Sequence, residues 1–146
     1  MRSAIVVAVM AMALGLGACQ KRAVAPVPGT INTFDAYAAR AIGDAQEAIL
    51  SAKAWELCSD AASQGAPVPS VTFDKETRAC PVDQPAFPAA GRAILFKTEL
   101  SYNVALAAAQ TYHAGAAGGD TTVLTQALGQ LSSAVADLLN GIGRGK

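Results

Sequence analysis

From residue 31 onward, apolar residues recur at alternating intervals of three and four positions. This spacing places them along one side of an α-helix. The seam predicted for the first helix consists of Ile31, Phe34, Ala38, Ala41, Ala45, Ala48, Ala52 and Trp55. Ile42 and Ile49 flank the seam and widen it. We predict that the helix ends near Ser63-Gln64-Gly65, because glycine readily adopts the left-handed conformation that terminates a helix.

Two more helices are predicted from the same spacing. The second runs from Pro88, a residue well suited to the first helical position, to about His113. Its predicted apolar stripe is Ala89, Ala93, Phe96, Leu100, Val104 and Ala107. The third begins at a cap among Asp120, Thr121 and Thr122. Its predicted stripe is Leu124, Ala127, Leu128, Leu131, Val135, Leu138 and Ile142.

The segment from Gly65 to Pro88 has a different composition. Its prolines are too frequent for a helix to continue through it. Val71-Thr72-Phe73 favours an extended conformation, and the residues from Asp74 to Thr77 favour a turn. The fold class that we predict is therefore all-α. Residues 31–146 form an up-down-up three-helix bundle, with a long Pro-rich loop between the first and second helices.

The N-terminus has the features of an export signal. A short positive start, Met1-Arg2-Ser3, precedes an apolar run from Ala4 to Leu16. That run is shorter than the ~20 residues that a membrane-spanning helix needs. It ends in Leu16-Gly17-Ala18-Cys19, which resembles the lipobox of bacterial lipoproteins at all four positions. Residues 1–18 are therefore expected to be a signal peptide.

The resemblance implies a lipid anchor at Cys19. The thiol would take a diacylglyceryl group, the chain would be cleaved before Cys19, and the new amine would carry a further acyl chain such as palmitate. The protein would then face the periplasm, and Gln20 after the cysteine favours the outer membrane over the inner one. Residues 19–30 are expected to be a flexible tether. Lys21 and Arg22 either contact anionic headgroups or are solvated linker charges.

The number of cysteines agrees with this interpretation. The chain has three, and lipidation of Cys19 would leave Cys58 and Cys80 as a pair. Because the periplasm is oxidising, we expect a disulfide between them that pins the long loop to the first helix. The alternative is two buried free thiols. A metal site would need more ligands, and a redox site usually has a Cys-x-x-Cys motif.

The net charge and the candidate catalytic residues argue against several classes of function and identify no active site. Eleven basic and eleven acidic residues give a net charge of zero, which does not favour nucleic acid as a partner. His113 is the single histidine, and its predicted position at a helix C-terminus suits interaction with the helix dipole. Asp44 and Glu47 share a helix face without forming a recognisable catalytic pair. We therefore predict no cofactor, no metal site and no enzymatic activity.

Three functional hypotheses remain from the sequence. The first is a non-catalytic structural or protein-interaction lipoprotein of the cell envelope, which binds the membrane through its anchor and binds another protein or itself. The second is a small-ligand or lipid-binding helical module. The third is a cell-envelope enzyme, for which no residues can be nominated. We expect Trp55, Phe73, Phe87 and Phe96 to cluster where the loop packs on the helices; if Phe73 or Phe87 is exposed instead, the loop presents an apolar patch for a partner.

Overall fold

The computed structural model describes residues 33–66, 68–114 and 121–143. Within these ranges the chain forms three helices and a short antiparallel strand pair. The elements are α1 (Thr33–Ser63), β1 (Ser70–Phe73), β2 (Glu76–Ala79), α2 (Ala89–Ala114) and α3 (Thr121–Gly143). The predicted signal peptide, Cys19, the tether, Ile31 and Asp120 lie outside the described residues.

Helix α1 buries the predicted alanine seam. Four members of the seam are in the core, and the described remainder is half-buried. The buried members are Phe34, Ala38, Ala45 and Ala52. Ile49, which was predicted to widen the seam, is also buried. The helix ends as predicted, at Ser63, and Gly65 follows with a φ of 74°.

Helix α3 also buries its predicted stripe. The buried residues are Leu124, Ala127, Leu128, Leu131, Ala134 and Leu138. They pack against both other helices, and the contact with α2 is the most extensive in the fold. Val135 and Ile142, also in the predicted stripe, are half-buried at its edge.

The stripe predicted for α2 is wrong. The residues that α2 buries are Gly91, Leu95, Thr98, Ala105 and Ala109. The predicted residues lie on the exposed face instead: Ala89, Ala93, Phe96, Leu100, Val104 and Ala107 are all exposed. Both sets have helical spacing, so periodicity alone does not distinguish the inward face from the outward one. Four of these five buried residues are glycine, threonine or alanine, which suits the alanines that α1 presents, and Leu95 is the one large side chain among them.

The buried hydroxyl of Thr98 joins α2 to α3. It lies 2.8 Å from the carbonyl oxygen of Ile94, one turn earlier in α2, and 3.1 Å from that of Ala134 in α3. A threonine can be accommodated at this core position because its polar atom has partners. Two turns earlier in α2, a Cβ on Gly91 would lie 3.3 Å from Ile142 Cγ2, so α2 and α3 are closely packed at Gly91 as well.

Aromatic contacts show which ends of the helices meet. Phe34 at the start of α1 packs edge-on against Tyr112 near the end of α2, with ring centroids 5.7 Å apart. Trp55, in the second half of α1, packs against Phe87, just before α2, at 5.2 Å. No helix in the described ranges is long and apolar enough to cross a membrane.

The loop between α1 and α2 contains a hairpin, which the all-α prediction did not include. Strand β1 pairs antiparallel with β2, with Ser70 opposite Ala79 and Phe73 opposite Glu76. The predicted extended segment lies in β1. The observed turn is shorter than the predicted one, because Glu76 and Thr77 belong to β2. Asp74 and Lys75 make the turn with φ values of 45° and 72°. Positive φ at both central residues suits the twist of a two-residue hairpin.

Candidate interaction surface

The outer face of α2 exposes large apolar side chains. Phe96 is 62% exposed, Leu100 51% and Val104 54%. They follow one another at intervals of one helical turn, so they form a continuous line. Exposed alanines extend this line in both directions along the helix, at positions 89, 93 and 107. We call these six residues the α2 stripe.

Single exposed apolar residues are common on protein surfaces, but a line of them is not. The α2 stripe contains three of the large apolar side chains that are exposed among the described residues, and none of its positions carries a charge. Such contiguous surfaces mark sites where proteins bind other molecules. The expected aromatic cluster is thus only partly present: Trp55 and Phe87 are in contact, whereas Phe96 is exposed on the stripe.

A groove beside the stripe joins α1, α2 and the turn of the hairpin. Lys53 of α1 forms an ion pair with Glu99 of α2, and its ammonium lies 4.4 Å from the centre of the Phe73 ring. This cation–π contact holds Phe73 over α1, half-exposed at the groove. The groove has a volume of about 300 Å³. Its apolar wall is formed by Ile49, Leu50, Phe73, Phe96 and Leu100.

The hairpin is attached to α1 by a charged network. The Arg78 guanidinium donates to both carboxylate oxygens of Glu47, at 3.0 and 3.1 Å. It also donates to Glu76 at 3.1 Å and to the Ser51 hydroxyl at 3.0 Å. The hydrogen bonds and charge of Arg78 hold the pKa of Glu47 below its ordinary value. Glu47, and then Glu76, raise the pKa of Arg78 above its ordinary value.

The rest of the loop is attached by the disulfide and by Trp55. The predicted bond between Cys58 and Cys80 is confirmed, with their Cα atoms 5.7 Å apart. The Trp55 indole donates to the carbonyl oxygen of Pro85 at 2.6 Å. Between these attachments lies an open cleft of about 560 Å³. Its lining is mainly apolar and includes Trp55, Val68, Pro69, Pro81, Val82 and Pro85.

The candidate chemical groups are not assembled into one site. His113 is exposed in the last turn of α2, as predicted, with its ring beside Tyr112. Asp44 pairs with Arg40, whereas Glu47 binds Arg78 of the hairpin. Within the described ranges, no three His, Cys, Asp or Glu side chains come together in a way that could hold a metal ion.

Comparison of the chain with models of known protein families, with curated proteins and with solved structures finds no match. Sequence reasoning identified the residues of the α2 stripe but assigned them to the core. One signal could have corrected this assignment. The same helix carries a second seam, made mostly of small residues from Gly91 through Thr98 to Ala109, and small residues suit the alanines of the α1 seam.

Proposed function

We propose that this chain is a lipoprotein anchored through Cys19 and facing the periplasm, preferentially at the outer membrane. Its helical domain is a non-catalytic protein-interaction module of the cell envelope. The observation that carries the proposal is the pairing of Cys58 with Cys80. This pairing suits an oxidising compartment and leaves Cys19, at the end of the lipobox, as the cysteine available for lipid.

We further propose that the helices run up-down-up. The contact of Phe34 with Tyr112 supports opposite directions for α1 and α2. The closeness of Gly91, near the start of α2, to Ile142, near the end of α3, supports the same relation between α2 and α3. In this arrangement α1 and α3 cover the inner side of α2, and its outer side remains open to a partner.

The anchor is tested by intact mass of protein taken from the membrane fraction. The wild type should begin at residue 19 and carry added acyl mass, and Cys19→Ala should lack this mass. A double Cys58→Ala/Cys80→Ala variant is the matched control, because it removes two thiols and should keep the lipid. A wild-type protein that retains residues 1–18, or that has no acyl mass, contradicts the anchor.

The interaction module is tested by photo-crosslinking in cells. A photoreactive amino acid at position 100, on the α2 stripe, should give a protein adduct. The same amino acid at Ser133, exposed on α3, is the control and should give much less. Equal adducts at both positions, or none at either, would contradict an interaction surface on α2.

The cleft beside the disulfide supports a second candidate, binding of a small apolar ligand or lipid. Its volume lies within the usual range of ligand sites, and its walls are largely apolar. Trp55 is the single tryptophan and lines this cleft, so its fluorescence would report occupancy. Titration with short-chain phospholipid should shift the emission if this candidate is correct. An unchanged spectrum, at concentrations that saturate known lipid carriers, would exclude it.

A further inference from the structure

We propose that the partner of the α2 stripe is a second copy of this chain, which packs its own α2 in the opposite direction across a two-fold axis at Leu100. This inference rests on the proposed function, because it names the partner of the proposed interaction surface. Three features support the inference: the order of the side chains along the stripe, the charges beside the stripe, and the size of the stripe.

The stripe is symmetric about Leu100. Phe96 and Val104 lie four residues before and after it, and Ala93 and Ala107 lie seven residues away. Ala89 and the exposed Thr111 continue the pattern at eleven residues. Steps of three and four residues of this kind produce a helix–helix seam. The spacing of the stripe is the same in both directions from Leu100, although Phe96 and Val104 differ in size.

This symmetry is what a two-fold interface requires. In a two-fold pair, the same surface is used by both copies and must be complementary to itself. With Leu100 on the axis, Phe96 lies at the axial level of Val104 of the second copy, and Ala93 at the level of Ala107. The bulky side chains therefore meet in the middle of the seam. The small ones meet at its ends, where they let the two helices approach.

The charges beside the stripe favour the antiparallel direction. Lys97 is exposed three residues before Leu100, and the exposed residue three positions after Leu100 is Asn103. An antiparallel pair brings each Lys97 to the level of an uncharged amide. A parallel pair would place the two Lys97 side chains at the same level of the seam, where like charges repel. Arg92, farther toward the N-terminus, is already paired with Glu56 and Asp60.

The size of the stripe suits a dimer that forms at a membrane. From Ala89 to Thr111 it spans about 34 Å, and with a helix width of ~10–12 Å two copies would bury on the order of 700–800 Å². Specific interfaces that are stable in solution begin at about 1,000–1,200 Å². A shared membrane raises the effective concentration of two anchored copies, which compensates for a small interface. The dimer is therefore expected in membranes and should dissociate on dilution in detergent.

Cysteine crosslinking of the full-length protein in membranes tests the pairing. Leu100→Cys places two thiols at the proposed axis, so oxidation should give a disulfide-linked dimer on a non-reducing gel. The control Ser133→Cys has its thiol on α3, away from the seam, and should give several-fold less dimer. Leu100 is half-exposed, so the variant should fold, and an intact Cys58–Cys80 bond checks this.

The direction is tested with Ala93→Cys and Ala107→Cys, which lie at opposite ends of the seam. Copies carrying only one of these changes should not crosslink, whereas co-expressed copies should crosslink to each other. Efficient crosslinking of each variant alone overturns the antiparallel arrangement. No Leu100→Cys dimer above the Ser133→Cys level overturns self-pairing.

Two other outcomes identify a different occupant and also overturn self-pairing. A photo-adduct at position 100 with a different protein would leave the proposed function intact. A thiol at position 100 that is shielded from a water-soluble maleimide without any crosslink would indicate that the membrane surface covers the stripe. Intact mass of the same samples reports the lipid anchor separately, so failure of the anchor and failure of the dimer are distinguishable.

Discussion

Arg78 of β2 holds both carboxylate oxygens of Glu47 on α1, at 3.0 and 3.1 Å, although the two residues lie 31 positions apart in the chain. The two-pronged geometry is the one in which arginine binds a carboxylate most specifically. Because the pair connects a two-stranded hairpin to a long helix, its effect should be local. A hairpin of this size has little stability of its own and depends on what it packs against.

Glu47→Gln should loosen the hairpin without unfolding the bundle. The amide keeps one acceptor but loses the charge, so Arg78 retains Glu76 and Ser51 as partners. Hydrogen exchange of peptides covering residues 70–79 should become several-fold faster, with an unchanged urea midpoint. Asp44→Asn is the matched control: it removes an exposed ion pair with Arg40 of the same helix and should leave the hairpin unaffected. Equal rates of hydrogen exchange in the two variants would contradict a role for Glu47 in holding the hairpin on α1.

The same pair predicts a pH dependence at the acidic end. The hydrogen bonds from Arg78, then its charge, lower the pKa of Glu47 in the folded protein. A lowered folded pKa means that the interaction is fully present above the ordinary pKa of glutamate and is lost as the pH falls through the lowered value. An NMR titration of the Glu47 carboxyl should therefore have a midpoint below that of an unpaired glutamate. Arg78→Gln should raise the midpoint, whereas Arg40→Gln should not move it.

The two faces of α2 should differ sharply in their contribution to stability. Leu95 is 3% exposed, whereas Leu100, about 1.4 turns further along the same helix, is 51% exposed. Leu95→Ala should cost about 2–5 kcal/mol, the usual cost of truncating a buried leucine. Leu100→Ala should cost less than about 1 kcal/mol, as for other surface positions. Urea unfolding at a concentration too low for the proposed dimer measures both. Equal losses would mean that the stripe is part of the core.

Helices α1 and α3 could be predicted from the sequence because their burial follows one apolar face. In α1 five of the eight seam residues are alanine, and in α3 Leu124, Leu131 and Leu138 mark one face at seven-residue spacing. Helix α2 has two faces with the same spacing. The prediction places the larger side chains, such as Phe96, in the core, whereas the structure buries a face that carries Gly, Thr and Ala residues apart from Leu95. Which face is buried depends on the neighbouring helices and is not visible in α2 itself.

The hairpin could not be predicted for a related reason. Its turn residues, Asp74 and Lys75, adopt positive φ without a glycine, which local turn preferences favour only weakly. What stabilises the hairpin is distant in the chain: Glu47 and Lys53 of α1 bind Arg78 and Phe73. The disulfide, in contrast, could be predicted, because it follows from the number of cysteines and the expected compartment.

The Thr98 hydroxyl should contribute through its position between two helices. Thr98→Val keeps the shape of the side chain but removes the donor to the carbonyl oxygens of Ile94 and Ala134, and should cost about 1 kcal/mol. Thr111→Val is the matched control on the same helix. Its hydroxyl also donates one turn back, to Ala107 at 3.0 Å, but it is exposed. Urea unfolding should show a loss for Thr98→Val only; similar values would contradict a role for the buried hydroxyl.

Two glycine-to-alanine changes should have opposite effects on stability. In Gly91→Ala the new Cβ would lie 3.0 Å from Phe87 Cε1 and 3.3 Å from Ile142 Cγ2, so the ring and α3 must shift. In Gly129→Ala, in the middle of α3, the new Cβ meets nothing within 4 Å. Alanine is favoured over glycine inside a helix by about 0.8–1.0 kcal/mol, so Gly129→Ala should stabilise the protein by up to that amount.

For Gly91→Ala, crowding outweighs this preference, since overpacking costs about 1–3 kcal/mol. Thermal unfolding of the two variants beside the wild type should therefore give a lower midpoint for Gly91→Ala and a higher one for Gly129→Ala. Because both variants add the same single methyl group to a helix, their difference isolates the packing around Gly91. A raised unfolding midpoint in both variants would mean that Phe87 and Ile142 shift without a loss of stability. The end of the loop and α3 would then not be closely packed at Gly91.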